Sequence, residues 1–160
     1  MESPYVDCYI RALAHAKTLR RLHAKVQSIH SLKIHRSAGT MNRISLEEKF
    51  GQLQEHWRPK VVADVNGQEL KLVKLAGVFP WHRHEQEDEL FLVWRGQMTI
   101  EFRDHRVTLR AGELCIVPRG TEHRTLAENE TEVLLFEPAG TRNTGNITDP
   151  TFTAPNGVRI

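Results

Sequence analysis

The chain has 160 residues, 39% hydrophobic and 26% charged, which suits one globular domain with room for an appendage and a core that needs no disulfide staples. No apolar run approaches the roughly 20 residues that span a bilayer, and the two cysteines, Cys8 and Cys115, form no framework or Cys-x-x-Cys pair. The net charge of +2 is unevenly spread: residues 1–40 hold seven Lys/Arg against Glu2 and Asp7, and the remainder is mildly acidic, which argues against a nucleic-acid footprint there.

Residues 1–40 read as a basic extension, helical from Tyr9 to Leu32, with a rough apolar stripe of Ile10, Leu13, Leu19, Leu22 and Val26. Ser37-Ala38-Gly39-Thr40 reads as a linker. The favoured interpretation is an accessory extension, with Met41 opening the working domain and the protein placed in the cytoplasm. A transit peptide, which would make the protein organellar, is the alternative, because the segment is basic and acid-poor. A third reading is a fragment of a helical repeat: Ala12 to Val26 is faintly similar to a pentatricopeptide helix, but one copy forms no stable array.

From residue 41 the texture changes. Ser45-Leu46-Glu47-Glu48 is a capping box that opens a helix through about Trp57. Strands are predicted at Val61–Val65 and Glu69–Leu75, around the hairpin signal Asn66-Gly67. Others are predicted at Leu90–Trp94, Met98–Phe102, Val107–Leu109, Leu114–Val117 and Val133–Glu137. Many short strands between Gly- and Pro-bearing turns indicate an all-β sandwich or barrel over residues 41–150. Residues 151–160 end a Thr-, Asn-, Gly- and Pro-rich tail, which from Gly140 onward wraps over the surface or frays.

The informative stretch is Trp81-His82-Arg83-His84. Residues two apart in extended chain share a face, so His82 and His84 project together and Arg83 points away. Glu89 opens an apolar strand, and a carboxylate facing inward needs a partner that a metal ion would supply. His123, beyond the turn Pro118-Arg119-Gly120, can bring a third imidazole to the same point. Three imidazoles and a carboxylate suit a divalent transition metal such as Fe, Mn, Zn or Ni. Four such ligands on an octahedral ion leave two positions for water, substrate or oxygen.

The pattern Gly77-x4-His82-x-His84-x4-Glu89-x6-Gly96 resembles the first motif of the cupin family, and Gly112-x5-Pro118-x-Gly120-x2-His123 resembles the second. The resemblance covers about Lys60 to Pro138. It implies a cupin jelly-roll β-barrel, here with a short N-terminal helical extension, and metal ligation by His82, His84, Glu89 and His123. The chain departs from the family pattern in two places, with four residues rather than five between Gly77 and His82, and with Ala127 where the second motif has Asn. Neither position is a ligand in the family.

Strand parity then places Phe91 and Val93 inside with Glu89, Met98, Ile100 and Phe102 on the inner face of the next strand, and Thr125 inside with His123. Trp81 and Trp94 are read as core or interface packing, with coverage of the cavity mouth as the alternative. Lys74 is read as a solvated strand lysine. No second carboxylate, Ser or Cys stands where a nucleophile is demanded, so the metal is the catalytic candidate. A small-molecule ligand or substrate follows. The chemistry would be that of an oxygenase or a sugar isomerase-like cupin, and a non-enzymatic ligand-binding or structural metal barrel is the alternative. A homodimer through the sheet faces is expected, motivated by Trp57 and Val61–Val65.

Overall fold

The computed structural model describes residues 43–160. Everything expected of residues 1–40, and the start at Met41, lies outside them. The regular structure of the described chain is nearly all strand. A short helix, α1 (Leu46–Phe50), precedes β1 (Lys60–Val65), β2 (Gln68–Val78), β3 (Glu89–Arg95), β4 (Gln97–Phe102), β5 (Arg106–Arg110), β6 (Leu114–Val117) and β7 (His123–Pro138). The capping signal is real: the Ser45 hydroxyl accepts from the Glu48 amide at 3.3 Å. The helix nevertheless ends at Phe50 rather than near Trp57. Gly51 follows at once, and Phe50 and Leu53 turn inward to pack with Leu72.

All strand pairs are antiparallel, in the order β1-β2-β7-β3-β6, with β4 joining β5 to β7. The 16-residue β7 is the common seam. Its first part pairs with β4 from Phe102↔His123 to Thr99↔Leu126, and its second pairs with β3 from Arg95↔Glu132 to Leu90↔Phe136. Strand β2 runs along both parts, interrupted by a register shift between Leu75 and Gly77. One strand shared in this way rolls the sheet into the barrel that the sequence pattern predicts.

Inside it lies one apolar core, centred on Val73, Phe91, Val93, Ile100 and Val133. Parity behaves as predicted: Glu89, Phe91 and Val93 are buried while Leu90 and Leu92 are not. The Asn66-Gly67 hairpin forms with both residues at positive φ, 54° and 83°, as a tight two-residue turn demands.

The tail does not fray. Residues 140–160 return across the barrel, and the last three residues dock on β1, where Ile160 donates to the Val61 carbonyl at 3.2 Å and Val61 donates to the Val158 carbonyl at 2.8 Å. Arg58 fixes the middle of this strap through the carbonyls of Thr153 (2.7 Å) and Thr151 (3.1 Å). Among the described residues, no helix is long and apolar enough to cross a membrane.

The β3–β4 turn depends on Gly96, which has φ 92°, and a Cβ there would stand 2.8 Å from Thr131 Oγ1 and 3.2 Å from the Glu130 carbonyl. Gly96→Ala should therefore cost about 1–3 kcal/mol from backbone strain, with the collision adding to it. Urea unfolding checks this: the midpoint should fall with an unchanged slope, and an unshifted midpoint would contradict it.

Candidate metal centre

The four candidate ligands come from three separate places in the chain and meet inside the barrel. Glu89 is the first residue of β3 and His123 the first of β7. His82 and His84 lie in the connection between β2 and β3. His82 sits opposite His123 in an isolated bridge, donating to its carbonyl at 3.0 Å and accepting from its amide at 2.9 Å. Gly120 donates to the His84 carbonyl, joining the turn before His123 to the same loop. The ligand atoms of all four side chains lie within 4.8 Å of one another. Exposure is 3%, 4%, 4% and 0% for His82, His84, Glu89 and His123, so water does not solvate them.

The hydrogen bonds at the rims of the rings decide what the inner nitrogens offer. His82 Nδ1 lies 3.1 Å from the Pro80 carbonyl, and His123 Nδ1 lies 3.0 Å from the Thr121 carbonyl. A carbonyl only accepts, so each Nδ1 carries the proton and each Nε2 is left with a lone pair directed inward. That second hydrogen bond is the usual companion of a metal-bound imidazole.

His84 Nε2 is 3.1 Å and His123 Nε2 is 3.4 Å from Glu89 Oε2, within ion-pair range. Yet none of these three atoms has a properly directed hydrogen-bond partner among the described residues. Distance and direction disagree because the atoms converge on a shared point rather than on one another. Buried polar atoms left so are rare and costly. A divalent transition metal is the group this donor set could hold.

Charge is poised accordingly. Burial, then repulsion from His123, pushes His82 down to about 4, so it is neutral at neutral pH. Burial alone would raise Glu89 and lower His84. Their mutual attraction, reinforced at Glu89 by His123, outweighs it, holding Glu89 well below the usual carboxylate range and His84 above the usual imidazole value.

A second polar group at this end of the barrel escapes sequence reasoning. Lys71 is only 4% exposed; its ammonium lies 3.0 Å from Glu137 and 3.2 Å from Glu69, and it donates to the Thr141 carbonyl at 3.1 Å. One rung beyond the Leu90↔Phe136 pair, Glu137 faces Glu89. Burial, then the Glu89 charge, pushes Glu137 up to about 7, and its Oε2 has no hydrogen-bond partner among the described residues. The polar alternation Glu69-Leu70-Lys71-Leu72 suggests leucines inward; instead Leu72 packs under α1 on the outer side. The usable signal is the odd parity that Glu69 and Lys71 share with core-facing Val73 and Leu75.

Beside the four residues is a cavity of about 30 Å³, bounded by Trp57, Phe79, Phe91 and Thr125 with His82 and Glu89. Thr125 lies inside as parity predicts. The tryptophan at the cavity is Trp57. Trp81 instead lies under Arg103, 3.9 Å from its ring centre, and Trp94 is 40% exposed on the outside. Trp57 combines φ 62° with two anchors, its amide on the Lys74 carbonyl at 2.9 Å and its indole N–H on the Ala76 carbonyl at 3.1 Å. Lys74 faces outward and pairs with Glu130 at 3.2 Å, and Arg83 points away to Glu85 at 2.7 Å.

A rolled antiparallel barrel with three imidazoles and one carboxylate converging inside defines a small cupin, and the chain belongs to the cupin-domain family, whose model matches residues 69–137. It is similar to the uncharacterized protein YdbB of Bacillus subtilis, 35% identical over 77 residues, 48% of this chain and 68% of that one. A solved cupin-2 domain protein from Shewanella frigidimarina is 42% identical, with a TM-score of 0.59 over 59% of this chain and 93% of that chain. A Neisseria meningitidis protein of known structure is 31% identical, with a TM-score of 0.57 over 61% of this chain and all of its own.

Protons and metal compete for the same nitrogens. With His84 holding its proton more tightly than a free imidazole, Zn(II) added to the metal-free protein near pH 7 should release about one proton, and affinity should fall steadily as pH drops. Calorimetry in buffers of different ionisation heat checks both. A flat affinity between about pH 5 and 8 would contradict it. In the metal-free protein the two histidines act oppositely. His84 stabilises the fold fully below its ordinary 6.5, an effect lost as pH rises through its raised value. His82 costs stability as pH falls from 6.5 to about 4.

Proposed function

We propose that the protein holds one divalent transition metal on His82, His84, Glu89 and His123, and that the centre binds or acts on a small molecule. The observation that carries this reading is the set of three buried, unpartnered atoms, His84 Nε2, Glu89 Oε2 and His123 Nε2, in a cluster 4.8 Å across. When bound, the metal supplies Lewis acidity or redox chemistry. The chain's own residues do the rest. The Pro80 and Thr121 carbonyls fix the tautomers of His82 and His123, Glu89 provides the negative charge, and Phe79, Phe91 and Trp57 give the adjoining cavity apolar walls. Fe, Mn, Zn and Ni all suit such donors. An oxygenase or an isomerase-like activity is the enzymatic form of the proposal.

A structural or storage barrel is the alternative reading; with the strap in place the cavity has room for about two waters.

Elemental analysis of untagged protein beside the His82→Ala/His84→Ala double variant tests the ligand set. About one equivalent of a single transition metal in the native protein and none in the variant is the expected result. His123→Ala should lower occupancy and melting temperature together, since a ligand held at 100 times its dissociation constant stabilises by about 2.7 kcal/mol. Full occupancy with unchanged melting in His123→Ala would sink the assignment.

We also propose a homodimer, on different residues from those the sequence suggested, because Trp57 faces the cavity. Strand β6 ends the sheet order, and Leu114 and Ile116 on it are 52% and 56% exposed beside Trp94. Edge strands of this kind favour covering. Light scattering should show twice the chain mass; a monomer at every concentration removes the proposal. A reducing, cytoplasmic setting agrees with the free thiol of Cys115.

A further inference from the structure

The tail of the chain reaches the cavity, whose lining includes Asn143. Residues 142–157 form a strap pinned at both ends. At one end Thr141 caps the Pro138 carbonyl with its hydroxyl at 2.6 Å, and at the other residues 158–160 pair with β1. Between these anchors the strap forms no strand with the barrel. It is held by side chains: Asn143 donates to the Trp57 carbonyl at 3.3 Å and the Phe152 carbonyl at 2.9 Å, and Asn146 exchanges two hydrogen bonds with the Arg83 backbone. Gly145 passes so close to the loop carrying His82 that a Cβ would overlap the Arg83 carbonyl. Arg58 on the Thr151 and Thr153 carbonyls and Thr144 on Thr153 add to these bonds, and a segment held outside the sheet opens at lower cost than the barrel unfolds.

One apolar side chain of the strap meets the aromatic wall of the cavity. The Phe152 ring packs edge-on to Phe79 at 5.1 Å and 81°, and to Trp57 at 5.9 Å and 70°. Phe79 in turn packs edge-on to His82 at 5.1 Å. The rings thus run in an unbroken line from the strap to the metal centre. Trp57 is the strained member, a backbone outlier at a cavity wall, where such strain commonly serves a binding role. Besides Trp57, Phe79, His82 and Glu89 the lining is Pro59, Val73, Leu75, Phe91 and Leu135, with Thr125 and Asn143 as its neutral polar groups, and no lysine or arginine among the described residues lines it.

We propose that Phe152 is the plug of this cavity, and that the cavity takes a small uncharged aromatic molecule which occupies the ring position of Phe152 against Trp57 and Phe79. The ring selectivity follows from the edge-on slot, which a flat π-system fills with the same contacts. In the metal-free chain the preference for an uncharged ligand follows from the lining, which offers no lysine or arginine to an anion while Glu89 repels one. The proposal rests on the metal reading only for what the ligand meets at the cavity floor; the slot itself is made by the chain.

Phenol is the probe, with cyclohexanol and benzoate as the non-planar and charged controls, titrated against the full chain, metal-free and Co(II)-loaded. Native protein should bind phenol saturably, with shifts in the Trp57 indole and Phe152 ring resonances, should bind cyclohexanol far more weakly, and in its metal-free form should bind benzoate far more weakly. Phe152→Leu, which keeps an apolar strap without the ring, and Phe152→Ala should each bind phenol about tenfold more tightly, because the site no longer has to empty itself first. Should Phe152→Ala fail to fold, native protein and Phe152→Leu decide the matter. Equal binding of phenol and cyclohexanol, or native protein that shows no saturable phenol binding, overturns the proposal. Phenol binding to the metal-free chain, together with no Co(II) absorption in the loaded sample, would support the aromatic slot and sink the metal reading alone.

Discussion

Glu89 is the residue around which this end of the barrel is organised. A carboxylate 4% exposed inside a protein is expensive unless charge and hydrogen bonds are returned to it. The arrangement brings His84 Nε2 and His123 Nε2 within 3.1 Å and 3.4 Å of it, but withholds the directed hydrogen bonds that would make a closed ion pair. Buried polar atoms left in this way cost stability, and a cation held among them would offset that cost. The carbonyls that lock the Nδ1 protons of His82 and His123 pre-set the outcome, since they leave neither ring free to turn its lone pair elsewhere.

Strand β7 makes that convergence possible. His123 opens it, pairing with Phe102 of β4 and bridging to His82, while twelve residues later the same strand lies beside β3, which Glu89 opens. The register of one strand therefore sets three of the four donors relative to one another. A slip of one residue would turn His123 and Thr125 outward and bring Arg124 into the cavity. The backbone exchange between His82 and His123 resists that slip at the position where it would matter most.

Much of this is legible in the sequence because it rests on local rules. The Asn66-Gly67 turn, the alternation at Glu89–Val93 and the spacing of the two motifs each depend on a few neighbouring residues, and each appears in the fold as predicted. The convergence of His82, His84, Glu89 and His123 is legible for the same reason. What is not legible depends on distant partners. The polar stretch Glu69–Leu72 alternates like a half-exposed strand, but α1 covers Leu72 and the inner face at Lys71 is filled by carboxylates from β2 and β7. The role of Trp57 follows from a positive φ and a contact with Phe152, 95 positions further on, which no window along the chain reports. The tail has the composition of a surface coil. Its order comes from side-chain bonds of Asn143 and Arg58 to carbonyls, which composition does not reveal.

The interior is divided along its length, and the division links the centre to the strap. Val73, Leu75, Val133 and Leu135 make one part apolar, while Glu69, Lys71 and Glu137 make the other a buried ionic network adjoining Glu89. Two carboxylates share one ammonium there, and Glu137 also feels the Glu89 charge, which is why burial and repulsion together bring its carboxyl close to neutrality. Any cation held by the four donors would offset the Glu89 charge and favour the ionised form of Glu137, and by reciprocity an ionised Glu137 favours the cation. Ionised Glu137 in turn holds Lys71 more firmly, and Lys71 donates to the carbonyl of Thr141, the residue from which the strap departs. Glu89 and the residue from which the strap departs are thus connected through Glu137 and Lys71, each in contact with or close to the next.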